Sequence, residues 1–347
     1  MSKESTLRNT QTAESLLNFA EEVGPGLRGL EAKAVFGQLD QRYGDLQSAI
    51  EWFIDKGRTD EALRLAISLV PFWMATKRLD AGSAWIDRAL ALPGGDDAYR
   101  GRALFDAGYL AFWKGDDERS SALHNRALRL GRQTNNPTVT ALALVGLARI
   151  ALRTDVDEAR RLCREALAVT EGTADRVGRS SAMHVLGVAA QMAGDLLEAR
   201  ELMSERITLA REMGNLATVS SEAGNLSMVE RQLGNLEEAE ALAREALDID
   251  YRRGDDLAIP WKLNGLAAVA TDRGEFDRAA TLIGAADVTM EAAGGAWPPD
   301  ELVHYQRTVA TLTDAMGSAA FERARAAGYS MSTPEIVDFG LGTRPKT

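Results

Sequence analysis

An all-α solenoid of helical hairpins is the architecture this chain encodes, and three features predict it. Gly194, Gly234 and Gly274 stand forty residues apart, as do Ala199, Ala239 and Ala279. A fixed period of this length belongs to repeat architectures, in which each unit stacks on its neighbours. Each of these glycines is followed by a polar residue: Asp195, Asn235 or Glu275. Glycine ends a helix cheaply because it accepts a left-handed backbone, and Asp or Asn caps the free N–H groups of the next helix. Finally, Ala, Leu, Glu and Arg dominate the helical windows, and no period-two run of Val, Ile and Thr competes.

The elements follow in order. Residues 1–12 are polar and are expected to be disordered, with a first helix over Ala13–Val23. Gly24-Pro25-Gly26 breaks the chain. Leu39, Tyr43, Leu46, Ile50 and Phe53 keep a helical stripe, so a helical pair ends at Gly57. Another helix opens at Thr59 and meets Pro71 before Phe72-Trp73. A mid-helix proline costs about 3 kcal/mol, so a kink or a helix end is expected there. Ser83–Leu92 closes an N-terminal set of hairpins spanning 13–92.

Regular repeats then occupy 93–293. Ala98–Trp113 and Asp116–Leu130 turn at Gly115-Asp116. Val139–Leu152 pairs with Val156–Val169 through Thr154-Asp155, a looser turn for want of glycine. The Ser180–Ala210 hairpin turns at Gly194, with Gly187 inside its first helix. Ala217–Ala246 turns at Gly234, and Trp261–Ala286 at Gly274. A loop with Gly294-Gly295 and Pro298-Pro299 leads into a capping region, 294–341, made of Asp300–Met316, Ser318–Ala327 and a short Thr333–Phe339 helix. A solenoid needs such an atypical end to cover its last apolar face. Residues 342–347 read as a loose tail.

Composition narrows the function. The 347 residues are 45% hydrophobic and carry a net charge of −11, with Asp and Glu spread at helical spacing on solvated faces. That balance argues against direct nucleic-acid binding. Cys163 is the one cysteine, which excludes an internal disulfide framework and fits a reducing, cytoplasmic compartment. The N-terminus lacks the apolar core of a signal peptide, and no stretch approaches the roughly 20 apolar residues of a membrane span. Three scattered histidines give no metal-ligand spacing, and no cofactor is expected.

LFDAGYLAFWKGDDERSSALHNRALRL resembles a tetratricopeptide repeat. Ala107-Gly108 takes the family's Leu–Gly place, Ala111 the large place, Gly115 the turn, and Ser120 and Ala127 the small places. Leu186-Gly187, Ala190, Gly194 and Ala199 match likewise, with Arg206 departing at the second small place. Leu226, Gly234, Ala239 and Ala246 match, with Ser227 replacing the Gly. Gly265-Leu266 is inverted, while Gly274 and Ala279 match. The forty-residue period marks these as long-helix variants of the 34-residue unit. By overall pattern, Leu16–Leu92 and the segment LAAVATDRGEFDRAATLIGAADVTMEAAGGAWPPDE resemble the C-terminal sensor region of actinobacterial LuxR-type and antibiotic-regulatory activators, which carry a nucleotide-switching module. The resemblance implies a right-handed solenoid with a concave groove. It does not extend to ATP or DNA: there is no G-x-x-x-x-G-K-[ST] loop and no basic helix-turn-helix segment. The chain is either the sensor part of a longer protein or a stand-alone relative.

In tetratricopeptide arrays the first helices line the groove, which directs attention to their side chains. Phe105, Tyr109, Phe112 and Trp113 repeat at i, i+4, i+7 and i+8, with Arg102 beginning the stripe. Such a stripe either packs between hairpins or presents rings to a ligand. His184 shares a stripe with Val188 and Gln191. Arg102, Phe105, Tyr109, Trp113, His184, Asn225 and Trp261 are therefore the candidate ligand-binding residues. They combine rings, one cation and hydrogen-bonding groups. His124 and Cys163 read as core, and His304 as exposed. No G-x-S-x-G elbow or paired base marks a catalytic residue. The function expected is a regulatory sensor or scaffold taking a peptide, protein segment or small molecule. A biosynthetic enzyme using the solenoid as a pocket, and a subunit that mainly self-associates, are the alternatives.

Overall fold

The computed structural model describes the backbone of residues 3–297 and 299–343, and the side chains of 11–297 and 302–343. Eighteen α-helices and one 3-10 turn, with no strand, make up the described residues. They divide into two compact units, residues 1–195 and 196–347.

The first unit holds α1 (Lys3–Val23), the 3-10 turn Gly24–Arg28, α2 (Ala32–Gln41), α3 (Tyr43–Asp55), α4 (Thr59–Ala75), α5 (Leu79–Leu90), α6 (Asp97–Trp113), α7 (Asp117–Gln133), α8 (Pro137–Ala151), α9 (Val156–Thr170) and α10 (Arg176–Met192). The second holds α11 (Leu196–Glu212), α12 (Leu216–Gln232), α13 (Leu236–Arg253), α14 (Ile259–Asp272), α15 (Phe276–Ala292), α16 (Pro299–Met316), α17 (Ser318–Tyr329) and α18 (Thr333–Leu341). Consecutive helices pack as hairpins, α6 on α7 and α8 on α9 in the first unit, α12 on α13 and α14 on α15 in the second.

One device closes most turns. Gly194, Gly214, Gly234, Gly254, Gly274 and Gly294 stand twenty residues apart, all with φ between 60° and 84°. The N–H of the following residue donates to the carbonyl five residues back: Asp195 to Ala190, Asn235 to Glu230 and Glu275 to Ala270, each at 2.9 Å. This closure satisfies a carbonyl that the helix end leaves open. The forty-residue period is therefore two twenty-residue segments of helix and turn, each ended the same way. Lys77 (φ 57°) and Asn135 (φ 52°) hold the left-handed position without glycine. The Thr154-Asp155 turn uses no left-handed residue, and the Asp155 N–H reaches only four residues back, to Ala151 at 2.7 Å. Asp116, Asn136, Asp155, Asp175 and Asn215 cap their helices by accepting a backbone N–H. Asn235 does not; its amide donates to Glu230 at 2.7 Å instead.

The structure corrects the expectation at the N-terminus and refines it at Pro71 and in the C-terminal cap. The first helix begins at Lys3, so the stretch expected to be disordered is helical from there to Thr12, and only residues 1 and 2 lie outside the description. Pro71 does not end its helix, which continues to Ala75. Phe72 and Trp73 are almost wholly buried; Phe72 packs on Tyr43 at 5.5 Å, and Trp73 donates to the Tyr43 hydroxyl at 3.3 Å. That packing offsets the carbonyl proline leaves unbonded. At the C-terminus, α17 does more than pair with α16. Gly284 of α15 and Gly328 of α17 meet so closely that a Cβ on either would lie 1.9 Å from a backbone carbonyl oxygen of the other helix. The last helix ends at Gly342 (φ 69°), and the tail beyond Thr343 lies outside the described residues.

Small residues set the hairpin spacing, as the repeat pattern demands. The Ser120 hydroxyl donates to the Gly108 carbonyl at 2.8 Å, twelve residues away on the partner helix. In the later hairpin Ser227 donates to Ala239, again twelve residues away, at 2.6 Å. The hydroxyl has changed helices while the contact is kept. Ser227 thus occupies the Gly108 position without opening the hairpin. Arg206, where the family keeps a small residue, forms an ion pair with the fully buried Glu222 of α12.

Candidate functional site

Two stretches of first-helix surface carry accessible functional side chains, one in each unit. In the second unit, α12, α14 and α16 enclose a cavity of about 340 Å³. Asn225 and Trp261, both sequence candidates, line it. Trp261 is 43% exposed. The Asn225 amide donates to the buried Glu222 carboxylate at 3.4 Å, which fixes it on the wall. Lining residues that the sequence did not single out supply the polar character. Asn264 is 93% buried (7% exposed), and its Oδ1 has no hydrogen-bond partner. The Lys262 ammonium lies 3.7 Å from Asp250 and donates to the Ser220 carbonyl at 3.4 Å. Burial pushes the Asp250 carboxyl up, and Lys262 works against that shift. Arg231 and Asp272, 2.7 Å apart, close one side, while His304, Arg307, Thr308 and Thr311 of α16 form the rim.

The twelve-residue contacts give a common register for the first helices. With Gly108 aligned to Ser227, Arg102, Phe105, Asp106, Tyr109, Phe112 and Trp113 correspond to Ser221, Gly224, Asn225, Met228, Arg231 and Gln232. All six of the latter line the second-unit cavity. The aromatic stripe of α6 therefore occupies the helix positions that face the cavity in the other unit.

On α6 the four candidates are brought together as a ladder. Arg102 lies 5.8 Å from the Phe105 ring centroid, Phe105 stacks on Tyr109 at 6.1 Å, and Tyr109 meets Trp113 edge-on at 6.1 Å. Phe105 is the most buried, packing on His124 at 5.5 Å; Tyr109 is half-buried and Trp113 is 53% exposed. Arg102 donates to Asp106, which is only 1% exposed, at 2.9 Å. Burial pushes the Asp106 carboxyl up, and the Arg102 charge opposes that. Arg149 of α8 lies 5.5 Å from the Tyr109 ring centroid, and its Nε is buried without a hydrogen-bond partner. Asp106 and Arg149 carry no signal in sequence, because each sits among apolar helix neighbours. His184 lies half-buried on α10, with Val188 and Gln191 equally accessible on the same stripe.

The remaining candidates resolve as core or surface. His124 is 1% exposed and lies against both Gly108 and Gly146, where an added Cβ would come within 2.6 and 2.4 Å of its ring. Burial, reinforced by the Arg149 charge, lowers its pKa to about 4, so the ring is neutral. Cys163 is fully buried, and desolvation pushes its thiol up to about 12. His304 is exposed. Among the described residues, no group of three or more His, Cys, Asp or Glu is placed to hold a metal ion. No described helix is long and apolar enough to cross a membrane. An open depression of about 660 Å³ also lies between α1 and α3, lined chiefly by small and neutral residues.

These features define a class: an all-α solenoid of antiparallel helical hairpins. Within that class the fold is a tetratricopeptide-like solenoid, and residues 139–212 and 223–253 match the tetratricopeptide-repeat family. No curated protein matches the sequence. Among solved structures, BtubC (BKLC) from P. vanneervenii is 18% identical, with a TM-score of 0.54 over 65% of this chain and 94% of its own. A signal transduction ATPase with a tetratricopeptide-repeat sensor from Pyrococcus horikoshii is 11% identical, with a TM-score of 0.57 over 97% of this chain. The match spans 54% of that ATPase. A Rap protein in complex with competence and sporulation factor is 12% identical, with a TM-score of 0.52 over 96% of this chain and 99% of its own. At these identities the likeness is one of fold.

Proposed function

We propose that the protein is a regulatory binding scaffold whose working surface is the inner stripe of its first helices, with the α12–α14–α16 cavity as its principal ligand site. Asn264 carries this reading. A buried amide oxygen without a partner costs about 1–3 kcal/mol, and a ligand N–H or O–H donor entering the cavity removes that cost. Trp261 offers an aromatic face beside it, and Arg307 and His304 offer polar groups at the mouth. A cavity of about 340 Å³ sits at the lower end of the range for small-molecule and peptide-anchor sites. The occupant is thus a small molecule, or one or two residues of a peptide or protein segment. Support comes also from the fold shared with a Rap protein that holds competence and sporulation factor and with an ATPase that has a tetratricopeptide sensor. The reducing, cytoplasmic setting expected for a lone buried cysteine suits such a regulator.

Native mass spectrometry of the protein purified from its own cells tests the proposal. The expected result is a retained mass that is lost in Asn264→Leu and weakened about tenfold in Trp261→Ala, with the helical circular-dichroism signal unchanged. A retained mass indifferent to both substitutions would refute this assignment of the site.

A further inference from the structure

The second helix α7 carries a charge pattern that neither the aromatic ladder nor the cavity uses. Between Arg119 and Gln133 it holds four arginines and no acidic residue, on a chain of net charge −11. Arg119 and Arg132 are committed, pairing with Asp87 of α5 and Glu165 of α9. Arg126 and Arg129 are exposed, and among the described residues neither has an ion pair or a side-chain hydrogen bond. Their own helix offers no partner, since the residues three and four places to either side of each are neutral or arginine. Being three apart, the two lie side by side on one helix face, where like charges work against the helix. Only Arg132 lies in the last turn, where the helix dipole favours a cation. Both uncommitted arginines line a pocket of about 310 Å³, with Leu130 of the same helix, Leu90 of α5, and Arg100 and Leu104 of α6. Among the described residues that line it, none is acidic. Arg100 forms a fixed wall: its guanidinium donates to the carbonyls of Leu90 at 3.1 Å, Gly94 at 2.5 Å and Leu92. Its charge adds to the positive field of the pocket, and Leu104, 5% exposed, supplies an apolar floor.

We infer that this pocket binds a small phosphate monoester bearing an apolar or aromatic group. Its phosphoryl oxygens bridge Arg126 and Arg129, and its ester group lies against Leu104 and Leu130. Charge selects the anion. Two uncommitted guanidiniums match a dianion, and a phosphate monoester carries nearly two negative charges on three acceptor oxygens. Those oxygens can take a forked pair of hydrogen bonds from each arginine, whereas a single carboxylate saturates one. The leucines select what is attached to it, because an apolar ester group gains by leaving water beside them. Size selects a small molecule over a chain segment, since the volume is at the lower end of the range for small-molecule sites. The pocket shares no residue with the α12–α14–α16 cavity, so it stands or falls apart from that site.

Isothermal titration calorimetry of the full chain at low salt tests this with phenyl phosphate, benzoate and inorganic phosphate. Phenyl phosphate should bind at least about tenfold tighter than either of the others. Arg126→Gln and Arg129→Gln should each weaken it about fivefold or more, and Arg129→Lys should keep part of the affinity. Both side chains are exposed, so these variants keep the fold, which the helical circular-dichroism signal checks. Arg161→Gln, at an exposed arginine of α9 paired with Glu158, and Asn264→Leu, in the cavity of the second unit, should leave binding unchanged. No binding of phenyl phosphate up to about 10 mM, equal binding of benzoate or inorganic phosphate, or indifference to both glutamine variants would overturn the inference. So would a preference for phosphatidylcholine vesicles containing phosphatidic acid, lost in the same two variants, because that result assigns the pocket to a lipid headgroup.

Discussion

His124 shows how one side chain can set both a contact and a pH limit. Its ring fills the space that Gly108 and Gly146 leave open, with Phe105 beside it, and its Nδ1 is buried without a partner. Only the neutral form suits that site. Its pKa is about 4 in the folded chain against 6.5 for the free side chain. Between those values the unfolded chain binds the proton and the folded chain does not. Stability is therefore lost as pH falls from about 6.5 to about 4, by up to roughly 1.4 kcal/mol per pH unit. The raised carboxyls of Asp106 and Asp250 act in the opposite direction, so the effect is isolated by comparison with His124→Leu. Urea midpoints at pH 7 and pH 5 should fall further apart in the wild type than in the variant. Gly108→Ala should cost about 1–3 kcal/mol by overpacking the same ring, read from the same denaturation curves. Burial of His124 was legible from its place in the repeat, whereas the second glycine that makes room for it, Gly146, was not. Gly146 lies in a different hairpin and meets the ring only once the hairpins stack.

At the scale of elements, turn chemistry was the readable part. Gly194, Gly234 and Gly274 all hold the left-handed backbone that their spacing implied. Gly234→Val should cost about 1 kcal/mol or more, since a β-branched residue at φ 84° is strained whatever space surrounds it. Equilibrium unfolding measures this directly. Lys77 and Asn135 escaped notice because the turn is fixed by its hydrogen-bond closure, which tolerates another residue at some cost in strain. Contacts between distant helices were harder to read. Nothing local distinguishes Gly284 or Gly328 from a helix-weakening glycine, yet each admits the backbone of the other's helix. Gly284→Ala should cost about 3 kcal/mol or release α17 from α15, because the obstruction is a carbonyl and not a flexible side chain. Limited proteolysis of the α16–α17 segment distinguishes release from simple destabilisation. Of the kink or helix end expected at Pro71, the end does not occur, since the buried Phe72 and Trp73 hold the helix together across it.

At the scale of the whole molecule, the repeat register makes separate residues comparable. The positions of α6 that hold Arg102, Phe105, Tyr109 and Trp113 are those that line the α12–α14–α16 cavity one unit later. Asn225 and Trp261 could be chosen from sequence because they lie on that register with accessible chemistry. Asn264 and Lys262 could not, because their significance is a matter of partners: an amide oxygen left open, and an ammonium drawn between Asp250 and the Ser220 carbonyl. Arg307 depended on where α16 docks, which no local pattern specifies. The central claim is that the inner stripe of the first helices is the binding surface. Hydrogen–deuterium exchange of the purified protein, with and without small-molecule and protein fractions of its native lysate, tests it most directly. The account predicts new protection in α12, α14 and α16 on addition of the active fraction, abolished in Asn264→Leu. Protection confined to the second helices α13 and α15, or unchanged by Asn264→Leu, would contradict it.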